Sequence, residues 1–206
     1  MNIKNYLEQN KNWPQDGQHI MAQYTDEYII VYQSYRPAIG HFAVENQYFG
    51  GPFKLTRMTW IKPNFLWMMY RNGWGKKEGQ EVVLAIYLKR EAFDGYLKQA
   101  IHSSYKKVYG SQEEWKLKVQ HSDVRLQWDP DHYPDGSKTE RRAIQIGLRG
   151  KAIESYARED IIKIEDVSKF VSEQYEHVQN NNLEKLQIPA ERPYIFLEQE
   201  QSNIFN

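Results

Sequence analysis

Residues 57 to 74 read RMTWIKPNFLWMMYRNGW, which sets Arg57, Lys62 and Arg71 among Trp60, Trp67 and Trp74 with no carboxylate in the stretch. Guanidinium and ammonium groups bind phosphate, and an indole face stacks on a planar ring. The combination points to a flat, anionic ligand. Arg57, Trp60, Lys62, Arg71 and Trp74 are the candidate ligand-binding residues. The pattern continues on either side: from Asn46 to Lys77 there is no Asp or Glu but there are six cations, Lys54, Arg57, Lys62, Arg71, Lys76 and Lys77. From Lys151 onward 11 acids stand against 6 bases, so an anion-facing surface is expected early and an acidic one late. If Pro63 opens a helix, Lys62 and the helix N-terminus aim positive potential at one spot. On that helix Phe65, Met68 and Met69 share a face and pack inward, leaving the cations with Trp60 and Trp74 to rim a pocket.

A second basic cluster, Arg125, Arg141, Arg142 and Arg149, lies in VRLQWDPD and RRAIQIGLRG. In a strand, Arg141, Ala143 and Gln145 face one way and Arg142, Ile144 and Ile146 the other. One face thus carries Arg and Gln, beside Trp128 if the two strands pair, and Arg141 or Arg142 would join the anion site. The alternative is an edge hairpin with a solvated face. The six histidines are scattered. His132, in DPDHYPDG, is expected in a solvated acidic turn, the alternative being a divalent-cation site; no metal is expected. The chain has no phosphate-binding loop, dinucleotide fingerprint, zinc-hydrolase helix or nucleophile elbow. With no cysteine it has neither disulfides nor thiol catalysis.

The elements that must hold these residues follow from periodicity and breakers. EYIIVYQSY (27–35) and QEVVLAIYLKR (80–90) read as buried strands. Ser34 and Pro37 suggest a helix start, with Gly50 and Gly51 as its stop, and Pro63 to Arg71 a second helix ended by Gly73. Helices are expected at about 91–103 and after Ser111, where Ser111 and Glu114 have capping-box spacing. VRLQW and RRAIQIGL are strands joined by a long polar turn, followed by helix KAIESYARE, strand DIIKI and helix EDVSKFVSEQYEHVQ. The prediction is a single α+β domain with a mainly antiparallel central sheet flanked by helices. Its expected bounds are 24–195, after a loose or partly helical lead-in (1–23) and before a tail (196–206). At 206 residues and zero net charge, with no apolar run of about 18 residues and a polar start, a soluble cytoplasmic protein without a membrane partner is expected.

VYQSYRP, RMTWIKPNFLWMMYRNGW, GQEVVLAI, VRLQWDPD and RRAIQIGL together resemble the family catalogued as domain of unknown function 4291, over roughly residues 20 to 195. More distantly, the chain resembles ADP-ribosyltransferase-like domains, in which a first strand ends in a His or Arg that grips NAD. In those domains a second strand-helix block carries a Ser, Thr or Tyr, and a late strand supplies a Glu or Gln near the nicotinamide ribose. That resemblance implies NAD as the nucleotide, with Gln33, Thr59 and Gln145 in the three roles and Tyr70 walling the pocket. Gln33 is not the usual residue, and the third position lacks a carboxylate. The expected function is binding of a nucleotide or other phosphate-bearing small molecule, NAD-like, with transfer of ADP-ribose. The alternatives are a single-stranded RNA- or DNA-binding or RNA-processing module, and a non-catalytic interaction protein.

Overall fold

The computed structural model describes residues 1–196 and 204–205. β1 (Ile3–Asn5) and α1 (Tyr6–Asn10) open the chain, with the Asn5 side chain capping α1. Short strands β2 (Gly17–Gln18) and β3 (Met21–Ala22) precede β4 (Tyr28–Tyr35). α2 (Pro37–Asn46) follows; Ser34 does not cap it, and it ends at Gln47 in the left-handed region rather than at the glycine pair. β5 (Thr59–Ile61) leads into α3 (Phe65–Asn72), which Asn64 caps and Gly73, at φ 58°, terminates. β6 (Val82–Lys89), α4 (Arg90–Gln99) and β7 (Ile101–His102) come next, so the expected helix end at 103 gives way to a strand. α5 (Gln112–His121) starts on the anticipated capping box of Ser111 and Glu114.

β8 (Val124–His132) and β9 (Lys138–Leu148) form a hairpin much longer than expected, since Asp129 to His132 are strand and not turn. α6 (Gly150–Arg158), β10 (Ile161–Asp166), α7 (Ser168–Gln179), β11 (Gln187–Pro189) and β12 (Arg192–Pro193) complete the order. The stretch 1–23 holds α1 and is packed: β1 pairs with β11, and Tyr6, Trp13, Ile20, Met21 and Ala22 are buried. Most of the expected 196–206 tail lies outside the described residues.

The fold is α+β. One sheet has the order β10-β6-β4, all antiparallel. In the other, β9 is flanked on one side by β8, with β7 beyond it, and on the other side by β2 and β5. Residues of period two divide the interior. Ile29 and Val31 of β4, Leu84 and Ile86 of β6, Leu126 of β8 and Ile144 and Ile146 of β9 fill the main core, which α4 and α6 close with Phe93, Leu97, Ile153 and Tyr156. The opposite face of the β10-β6-β4 sheet, with Ile30, Tyr32, Val83 and Ala85, buries α3 and α7 through Phe65, Met68, Met69 and Val171. The two sheets touch at a corner where the Tyr32 amide donates to the Lys62 carbonyl at 2.7 Å.

Candidate functional site

At that corner β4 and β5 each release one polar side chain at the edge of the main core. Gln33 continues the inward register of Ile29 and Val31, and Thr59 that of Ile61, so the two meet inside the protein. Tyr156 on α6 donates to Gln33 Oε1 at 2.6 Å, while Gln33 Nε2 donates to Thr59 Oγ1 at 2.7 Å and to the Trp60 carbonyl at 3.1 Å. A carbonyl can only accept, so the amide orientation is fixed. The Thr59 hydroxyl is also 2.9 Å from that of Tyr35. Both N–H groups of Gln33 are therefore engaged, and its role is to hold Thr59 in place.

Two cavities open here, sharing Tyr35, Met58 and Thr59 in their walls. One, of about 480 Å³, is lined also by Gln33, Trp60, Lys62, Arg71, Gln127 and Gln145. The other, of about 450 Å³, is lined by Arg36, Ile39, Phe53, Lys54 and Arg57 among others. Residues predicted from separate stretches, Gln33, Thr59, Trp60, Lys62, Arg71 and Gln145, thus surround one space. Trp60 lies across Gly147, its register partner on β9; a Cβ there would sit 2.8 Å from Met58 Sδ and 3.0 Å from the Trp60 ring. The glycine is what lets that indole close onto the sheet.

Lys62 dominates the electrostatics. It is 5% exposed, makes no ion pair among the described residues, and has only a 3.5 Å contact from Nζ to the Trp60 carbonyl. Burial first, then the neighbouring Arg71 charge, pushes its ammonium down to about 8, with Asp129 working in the opposite direction. Asp129 is the residue that sequence reasoning missed. Gln127 and Gln145 each donate an amide N–H to one of its carboxylate oxygens at 2.7 Å. Alternation along β8 puts Gln127 and Asp129 on the face that carries Gln145 on β9, so a carboxylate stands beside the third position after all. Reading DPDH as a turn hid it.

Other expected contributors lie elsewhere. Trp74 is buried, donates Nε1 to the Pro134 carbonyl at 3.1 Å and stacks on Tyr175, so it presents no free face. Tyr70 is exposed outside both cavities and stacks on His132 at 3.5 Å. His132 itself is 2% exposed and so is not in a solvated turn, and no group of three His, Asp or Glu able to hold a metal exists among the described residues. Arg142 donates to the Trp128 carbonyl at 2.9 Å and lines neither cavity. Arg141 is neutralised by Asp131, to which it donates from Nε at 2.8 Å and Nη2 at 2.6 Å. Trp128 points with Ile144 into the core, away from Gln145. The N-terminus of α3 is closed to ligands: Asn64 accepts from the Trp67 amide and Glu191 from the Phe65 amide, each at 2.7 Å. Burial holds the Glu191 carboxyl well above the usual carboxylate range. Arg57 lines the second cavity, not the one at Lys62.

Residues 19–194 match the family described as Domain of unknown function (DUF4291), and the chain belongs to that family. No match was found among curated proteins.

Proposed function

We propose that this DUF4291 member binds an NAD-like nucleotide in the cavity at Lys62 and transfers its ADP-ribose group. The observation that carries this reading is the unpaired, buried Lys62 ammonium facing a polar cavity. Taking an ammonium out of water costs several kcal/mol unless an anion offsets it, and no carboxylate among the described residues pairs with it. A phosphate oxygen meets that need, with Arg71 at the open side as a second cation. Trp60 supplies a flat wall for a ring. Gln145 retains an amide carbonyl and one N–H for a ribose hydroxyl.

A nicotinamide dinucleotide supplies a glycosidic bond whose cleavage leaves positive charge at the ribosyl carbon. Asp129, fixed by two glutamine amides, is the group that opposes such a charge. Thr59, fixed by Gln33, has a hydroxyl at the boundary of the two cavities. Catalysis then rests on positioning and charge, which is consistent with glutamines at two of the three polar positions. The single-stranded nucleic-acid alternative needs open aromatic platforms, and it is weakened by the burial of Trp67 and Trp74.

The test is calorimetric titration with NAD alongside an assay of nicotinamide release. Lys62→Met is expected to weaken NAD binding at least about tenfold, the loss of one buried charge-assisted contact. Asp129→Asn should leave binding within about twofold and slow nicotinamide release by about a hundredfold or more. Unaltered release by Asp129→Asn would remove the transferase role.

A further inference from the structure

The second cavity has a composition of its own. Its floor is aromatic and apolar: Tyr35 and Phe53 meet edge to face with centroids 5.9 Å apart, and Ile39 lies beside them. Its rim carries Arg36, Lys54 and Arg57, all exposed and none in a salt bridge among the described residues. No Asp or Glu among the described residues lines it. Glu81, close in sequence to the lining residue Gly79, is turned onto the Gly79 amide at 2.7 Å. The ten-residue α2 begins at this rim with no side chain capping it, which adds the positive end of its dipole to the three cations. Three unpaired cations over an aromatic floor form an arrangement distinct from the buried ammonium next door.

We propose that this cavity is a second anion subsite, which takes a phosphomonoester carried on a planar group. Its rim would hold the phosphate, and Tyr35 and Phe53 the ring. Because Tyr35, Met58 and Thr59 are shared with the Lys62 cavity, two ligands bound side by side would meet at the Thr59 hydroxyl. The subsite stands on its own geometry; that its occupant is the acceptor in ADP-ribose transfer rests on the function proposed above.

The probe is phenyl phosphate, which joins one ring to one phosphomonoester, titrated into ¹⁵N-labelled full-length protein and followed by backbone amide shifts. The expected result is saturable movement of amides in 36–39 and 53–58. Lys54→Gln/Arg57→Gln should weaken it about tenfold or more, as loss of two phosphate contacts requires, and phenol should give no such shifts. The same spectra report whether each variant remains folded. Shifts that persist undiminished in the double variant, or that appear only within 60–71 and vanish in Lys62→Met, would overturn the proposal. Shifts at 36–39 and 53–58 that survive Lys62→Met in a protein that does not bind NAD would support the subsite while removing the transferase function.

Discussion

Lys62 and Gln33 show how two buried polar side chains in one corner differ in what they want. Every hydrogen-bonding group of Gln33 is satisfied by the protein. Gln33→Leu would strand the Tyr156 hydroxyl and loosen Thr59, and should cost about 2–4 kcal/mol in urea unfolding. Lys62 is not satisfied, and its titration gives a signed test. Its folded value of about 8 lies below the ordinary 10.5. Between those pH values the unfolded chain binds more protons at this residue, so its contribution to stability rises with pH across that window. The penalty is fully present below pH 8 and relieved by 10.5, and is worth about 3 kcal/mol at most. The stability of Lys62→Met relative to wild type should therefore fall as pH is raised from 7 to 10. A difference that stays flat with pH would mean that the ammonium is not penalised in the fold. Affinity for an anionic ligand should run in parallel, declining above pH 8 as the ammonium is lost.

At the scale of elements, short apolar runs between breakers made much of the fold legible. EYIIVYQSY, QEVVLAIYLKR and RRAIQIGL are β4, β6 and β9 to within a few residues, because runs rich in β-branched and aromatic residues leave a plain mark where a strand is buried on both faces. The capping box before α5 and the glycine after α3 were legible for the same local reason. What local pattern does not encode is pairing between distant segments. DPDH reads as a turn because Asp and Pro favour turns, yet β9 pairs with it, Trp67 and Tyr70 of α3 stack on His132, and Arg141 compensates Asp131. That ion pair also ties in the N-terminal segment: Arg141 donates to the Pro14 carbonyl at 2.7 Å, and its guanidinium lies over the Trp13 ring. Asp131→Ala would leave Arg141 buried and unpaired, and should destabilise the protein by about 3–5 kcal/mol in denaturant unfolding. The cavity wall has its own element-level test. Gly147→Val would drive the side chain into Trp60 and Met58, so it should weaken ligand binding at the Lys62 cavity and change Trp60 fluorescence while the rest of the fold persists.

Across the whole molecule the charges cancel, with 27 basic and 27 acidic residues, so no global field selects a partner. At the corner where the two sheets meet, Arg36, Lys54, Arg57, Lys62 and Arg71 line the two cavities. The basic aromatic segment was therefore only partly legible. Its cations do face cavities, but most of its rings are core, since Phe65, Trp67 and Trp74 are buried against the β10-β6-β4 sheet and the β8–β9 hairpin. No helix among the described residues is long and apolar enough to cross a membrane. The central claim is that the Lys62 cavity is a site for an anionic nucleotide, and calorimetric titration of wild type and Lys62→Met with NAD at pH 7 and pH 9.5 tests it most directly. Saturable binding by wild type at pH 7, weaker at pH 9.5 and lost in Lys62→Met, is the predicted result; binding equal in both proteins and at both pH values, or none at all, would contradict it.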